Sequence, residues 1–190
     1  MHHPPRPTEI AHHILRRHLA EGDHAVDATA GNGHDTLFLA ECVGPTGVVH
    51  AIDIQESAIT AAQSLIHASG LSSRVRWHIA DHRHMGDFLP ANTFSAIVFN
   101  LGYLPGGDHR LTTRRTSTLD AIHAAASLLG PGGLLTVLCY PGHPEGALEA
   151  QDIASIWPTW SSQGWRIARY DLPFTASPCP VLWIAHKPSP

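Results

Sequence analysis

Apolar positions along this chain change period several times, and each change marks an element. From Thr8 to Ala20, Ile10, Ile14, Leu15 and Leu19 recur at helical spacing behind a capping threonine and an acid in the first turn, predicting a helix. His24–Ala28 is a short apolar run, predicting a buried strand that opens into Thr29-Ala-Gly-Asn-Gly33. A helix is predicted over about 34–42, a strand over Gly47–Asp53 and a helix over Glu56–Ser69, closed by Gly70. Val75–Ala80 and Phe94–Phe99 read as two further strands, and Thr113–Leu129 as a helix ended by the turn Gly130-Pro-Gly-Gly133. Leu134–Tyr140 is a fifth strand, and residues 145–162 a helix that Pro158 is expected to break. Trp165–Leu172 and Val181–His186 are the last two strands.

Strands alternating with helices predict an α/β fold, a mostly parallel sheet with helices on both faces. The stretch between the last two strands is too short for a helical crossover, so the last strand is expected to be antiparallel. No internal repeat or linker divides the chain, which reads as one domain over residues 1–190 with 1–6 as a mobile N-terminus.

Composition narrows this picture. Apolar residues make up 43% and charged residues 15%, the balance of a folded chain. Apolar runs are too broken to span a bilayer, and the first residues lack a signal-peptide core, so a cytoplasmic protein without membrane contact is expected. Cys42, Cys139 and Cys179 form no CxxC pair, which argues against a disulfide framework or a zinc site. Among the histidines, His12-His13, His82-x-His84 and His109 lack a ligand framework, and no metal is expected. The net charge of −4 excludes a uniformly basic nucleic-acid binder. Yet 16 histidines outnumber the 12 Lys and Arg, so the field of this protein must change strongly near pH 6.5.

Candidate chemistry lies in the loops after the strands, where open α/β sheets bind ligands. After the first strand, Gly31 and Gly33 suit a loop that a ligand approaches closely. Asp27 and Asp35 flank them; two carboxylates disfavour a pyrophosphate and suit a cation such as S-adenosylmethionine. Asp53 ends the second strand, where a carboxylate accepts both hydroxyls of a ribose, and Asp81-His82 follows the third. For Asp81, a helix cap is an equally good reading. The loop after the fourth strand, Asn100-Leu-Gly-Tyr103-Leu-Pro-Gly-Gly-Asp108-His109-Arg110, packs polar chemistry into a Gly/Pro-rich segment. There Asn100 can accept an amine N–H, Tyr103 can stack on a base, and Asp108 or His109 can take a proton. Tyr140 and His143, after the fifth strand, converge on the same rim, although His143 also suits a helix-entry turn. Arg110, Arg114 and Arg115, with Arg16 and Arg17 on the first helix, could hold phosphate or simply form a solvated face.

DATAGNGHDTLFLA, AIDIQESAI, FNLGYLPGGDH and YPGHPEG, in this order and spacing, resemble the class I methyltransferases of the rRNA methylase family over residues 7 to 187. The resemblance implies a Rossmann-like, seven-stranded sheet with the last strand antiparallel. It implies S-adenosylmethionine as cofactor, held by Asp27, Thr29, Gly31, Asn32, Gly33, Asp35, Asp53, Ile54, Gln55, Asp81, His82 and Asn100. It further implies N-methylation of the aminomethyl group of 5-aminomethyl-2-thiouridine at the wobble position of tRNA. Asn100, Tyr103 and Asp108 would then be catalytic, with Tyr103, His109, Arg110, Arg114, Arg115, Tyr140 and His143 on the substrate side. The tRNA anticodon region is the implied partner; a homodimer stays open. Two rivals also stay open: methylation of another RNA or of a small amine or hydroxyl, and an NAD-dependent oxidoreductase, which Asp53 fits and the first loop does not.

Overall fold

The computed structural model describes residues 3–102, 115–173 and 178–189, without the side chains of Arg115 and Thr116. Its elements in chain order are α1 (Pro7–His18), β1 (His24–Asp27), α2 (His34–Cys42), β2 (Val48–Asp53), α3 (Glu56–Ala68), β3 (Val75–Ile79), α4 (Met85–Phe88) and β4 (Phe94–Leu101). The chain continues through α5 (Arg115–Leu128), β5 (Leu129–Cys139), α6 (Pro144–Ser162), β6 (Arg166–Tyr170) and β7 (Val181–His186).

All seven strands form one sheet in the order β3-β2-β1-β4-β5-β7-β6. Pairings from β3 through β5 are parallel, and β7 runs antiparallel to both β5 and β6. The expected antiparallel last strand is therefore present, inserted between β5 and β6. Alternate residues of the central strands feed two cores. Val26, Ile52, Ile97, Phe99 and Val137 pack with Ile122 and Ala125 of α5 and Ile153 of α6. Ala25, Ala51, Ala96 and Val98 pack on the other face with Leu15 of α1, Leu39 of α2 and Ile59 of α3. Burial on both faces explains why these strands read as continuous apolar runs.

Two expectations change. The turn at Gly130–Gly133 lies inside β5, where the register steps from Phe94↔Leu129 to Ala96↔Leu134. Between these pairs one residue of β4, Ser95, lies opposite four of β5, and the extra glycines and proline bulge out of the ladder. Of the helix predicted from Thr113, the described residues begin at Arg115 and are helical to Leu128. Pro158 does not break α6, which runs unbroken from Pro144 to Ser162. A proline inside a helix costs about 3 kcal/mol, but Trp157 and Trp160 on either side are 3% and 4% exposed and anchor this turn. At the N-terminus, the Tyr170 hydroxyl donates to the Pro5 carbonyl at 2.7 Å.

Candidate active site

Because β1 to β5 are parallel, the loops after them open on one edge of the sheet. Gly31 and Gly33 both take positive φ, +49° and +86°. At Gly33, which starts α2, a β-carbon would lie 2.8 Å from both Cα and Cβ of Ala62, so only glycine lets this loop lie on α3. The Gly31 N–H donates to Asp53 Oδ2 at 2.9 Å, and the Gln55 N–H to Asp53 Oδ1 at 2.9 Å. Asp53 thus clamps the turns after β1 and β2 together, while each oxygen keeps a further lone pair. Ile54 beside it is 58% exposed, an apolar surface on the rim.

Asp27 is elsewhere than expected. It is fully buried, its Oδ1 accepting from the Thr29 N–H at 3.1 Å and its Oδ2 from the Thr36 hydroxyl at 2.6 Å. Burial, then the neighbouring Asp35 carboxylate, pushes Asp27 up to about 7, against those hydrogen bonds. As a lining residue Asp27 is therefore corrected: it holds the loop from beneath and presents no surface to a ligand. Asp35 replaces it as the carboxylate at the rim, its side chain 16% exposed. Asp35 Oδ1 lies 2.6 Å from His12 Nε2, and its Oδ2 accepts from Asn100 Nδ2 at 3.0 Å. Burial alone would raise Asp35, but the bonds from His12 and Asn100 outweigh it and hold the carboxyl below the ordinary range.

The loops after β1 and β4 are also joined directly. Thr29 Oγ1 accepts the backbone N–H of Asn100 at 2.7 Å. Tyr140, half-buried after β5, lays its ring over Gly102, where a β-carbon would sit 3.1 Å from Cδ2. Asn100 and Tyr140 are thus brought to one rim. His143 caps α6, its Nδ1 accepting the Gly146 N–H at 3.0 Å, as a helix-entry residue does. Asp81 likewise caps the turn His82–His84, accepting from the Arg83 N–H at 3.0 Å, and pairs with the Arg83 side chain at 3.1 Å. His82 is buried, its Nδ1 3.1 Å from the Ala28 carbonyl and its ring edge-on to Phe99, and burial lowers its pKa. Asn32 lies half-buried in the first loop. Tyr103, Asp108, His109, Arg110 and Arg114 lie outside the described residues, as does the side chain of Arg115.

Two residues at the site escape sequence reasoning. His12 stands out in the sequence only as half of the pair His12-His13, and nothing there points to Asp35 as its partner. Glu149 is 7% exposed and accepts from the Thr118 hydroxyl at 2.6 Å behind the site. It did leave a trace: it stands in the buried stripe Gly146, Glu149, Ile153, Trp157 and Trp160, an acid where an apolar residue is expected.

The family model described as "Putative rRNA methylase" matches residues 49–186. The chain belongs to the rRNA methylase family. It is 35% identical over 176 residues to the chloroplastic tRNA (mnm(5)s(2)U34)-methyltransferase of Arabidopsis thaliana, covering 88% of this chain and 64% of that protein. An rRNA methylase structure from Clostridium thermocellum superposes with a TM-score of 0.93 at 33% identity, covering 98% of this chain and all of that one. A methyltransferase from Streptococcus mutans, solved with SAH, superposes with a TM-score of 0.87 at 27% identity over 97% of this chain and 99% of that one. The Rossmann-like methyltransferase fold is thereby established. Among the described residues no helix is long and apolar enough to cross a membrane, and no group of three His, Cys, Asp or Glu is placed to hold a metal.

Proposed function

We propose that this protein is an S-adenosylmethionine-dependent methyltransferase that N-methylates the aminomethyl group of 5-aminomethyl-(2-thio)uridine at the tRNA wobble position, giving the methylaminomethyl product. The observation that carries this reading is the hydrogen-bonded chain from Asp35 to Asn100 at the junction of the first and fourth loops. It leaves an amide carbonyl as the polar group offered to an acceptor.

The donor set fits the cofactor. Asp53 is pinned at the end of β2 with lone pairs left for a ribose diol, Ile54 offers an apolar face for a base, and Asp35 is an anion beside the glycine loop. Asn32, Gln55, Asp81 and His82 are proposed to complete the cofactor's surroundings, Asp81 accepting from an adenine amino group beside its capping bond. The bound cofactor supplies an electrophilic methyl on a sulfonium. The acceptor nitrogen must meet it neutral, with its lone pair in line, and holding that alignment is the larger contribution. Asn100 Oδ1 accepts an N–H of the amine and turns the lone pair away from itself. Tyr140 bounds the acceptor side. Asp108 and His109 are proposed to carry the displaced proton to solvent, and Tyr103 to stack on the base. Arg110, Arg114 and Arg115 are proposed to hold tRNA phosphates.

The test is mass spectrometry of wobble nucleosides from tRNA lacking this methyl group, incubated with enzyme and S-adenosylmethionine. A 14-Da gain on the aminomethyl nucleoside is expected from the added CH2. Methyl transfer to a small amine without tRNA, and none to tRNA, would favour the rival reading.

A further inference from the structure

We propose that His12, on the first helix, is a positioning residue for the transfer: through Asp35 it fixes the Asn100 amide with its carbonyl oxygen toward the acceptor. The inference rests on the reading of Asn100 as the group that receives the acceptor N–H.

The argument starts from what a carboxylate can do. Each oxygen of Asp35 has one side-chain partner, His12 Nε2 on Oδ1 and Asn100 Nδ2 on Oδ2. An ionised carboxylate only accepts, so both partners must donate. This fixes a proton on His12 Nε2. It also settles the amide orientation of Asn100 on chemical grounds, because the flipped amide would oppose two acceptors. With its NH2 committed to Asp35 and its backbone N–H to Thr29, the Asn100 carbonyl oxygen has no partner among the described residues.

His12 is itself held on several sides. Its ring stacks parallel on Phe38, centroids 3.9 Å apart and planes 2° from coplanar. One turn along α1, Arg16 lies over the same ring at 4.9 Å and 3.8 Å from Glu41. The opposite side of α1 places Ala11 against Leu138 of β5 and Leu182 of β7. Removing the imidazole donor leaves Asp35 half-satisfied in a largely buried place. The carboxylate then reorients or takes up a proton, and a protonated carboxyl can donate to Asn100 and permit the flip.

The experiment compares His12→Phe, which keeps the stack on Phe38 and deletes the donor, with His12→Gln, whose amide nitrogen reaches the place of Nε2. Single-turnover methylation of tRNA, calorimetric affinity for S-adenosylmethionine, and exchange of the 15N-labelled Asn100 side-chain amide with water are measured. His12→Phe should slow the transfer about 10- to 100-fold, the scale of a misaligned reacting group. Its cofactor affinity should fall by less than its rate, because a reoriented or protonated Asp35 also weakens the anion beside the glycine loop; the Asn100 amide protons should exchange faster, and His12→Gln should restore rate, affinity and protection. In the double variant with Asn100→Ala, the His12 change should add nothing, as for residues acting through one contact. A rate loss matched by lost cofactor affinity, additive losses in the double variant, or unchanged amide exchange in His12→Phe overturns the inference. Should Asn100→Ala alone retain full rate, the reading of Asn100 fails, and the amide-exchange result still decides whether His12 orients that side chain. If His12→Phe does not fold, His12→Leu carries the same comparison.

Discussion

Replacing Gly33 with alanine separates two costs that the structure assigns to different glycines. At Gly33 the backbone is left-handed, φ +86°, and the added β-carbon would meet Ala62 Cα and Cβ at 2.8 Å. Gly70 is also left-handed, φ +72°, but nothing lies within 4 Å of its β-carbon position. Gly70→Ala therefore measures the conformational cost alone, about 1–2 kcal/mol. Gly33→Ala carries that cost plus an overlap with main chain, which cannot swing aside as a side-chain tip can. Overpacking adds about 1–3 kcal/mol, so Gly33→Ala should lose about 2–5 kcal/mol. Urea unfolding at fixed pH, with m-values compared, gives both numbers. Ala62→Gly in the Gly33→Ala background should recover only part of the loss, because the Ala62 Cα remains in place. The function should follow, since the only relief is for the start of α2 to lift from α3 and carry Asp35 with it. If Gly33→Ala and Gly70→Ala differ by less than about 0.5 kcal/mol, the close approach of this loop to α3 is wrong.

Asp27→Asn should fit the same space, its amide oxygen keeping the Thr29 N–H and its NH2 meeting the Thr36 oxygen. Between the ordinary carboxyl pKa of 3.8 and about 7 the folded chain holds a proton that the unfolded chain has lost, so Asp27 costs stability as pH rises through that window. The asparagine variant should gain on the wild type across the window, by at most about 4 kcal/mol, in paired urea melts at pH 4 and 8; a constant difference would show Asp27 ionised throughout. Arg114→Ala/Arg115→Ala should weaken tRNA binding and flatten its dependence on salt, read from filter binding across a salt series, and equal slopes would remove these arginines from the interface. Affinity for tRNA should rise from pH 8 to 6 as histidines gain charge. His50, His78, His82 and His186 should not contribute, because burial pushes each below its ordinary value; equal affinity at both pH values would leave the arginines as the only RNA-binding cations.

The fold was legible in the sequence because its central strands are buried on both faces and its helices on one, so period and turn residues changed together. It was less legible where tertiary packing overrode a local rule. Pro158 stays helical because two tryptophans fix its turn, and the glycine-rich stretch after α5 bulges out between two stretches of β5 that pair with β4. Within the site, the acids at strand ends were visible as a repeated position. Whether each faces a ligand or the interior was not, because that depends on side-chain partners far along the chain. Asp27 points inward to Thr36, and Asp53 is held by Gly31. His12 was invisible for the same reason: its partner lies 23 residues away on another helix.

The seat of α1 has a consequence for the newly made chain. The helix that bears His12 emerges first, yet it rests on β5 and on β7, the last strand. At ordinary rates of synthesis, on the order of 10 to 30 seconds pass before that strand leaves the ribosome. Until then Ala11 lacks Leu182, and α1 is held by earlier elements, Leu15 packing with Leu39 and His12 meeting Asp35. A chain cut short before Val181 would keep the glycine loop and Asp53 but leave Ala11 without Leu182, so α1 is the element that a late truncation loosens.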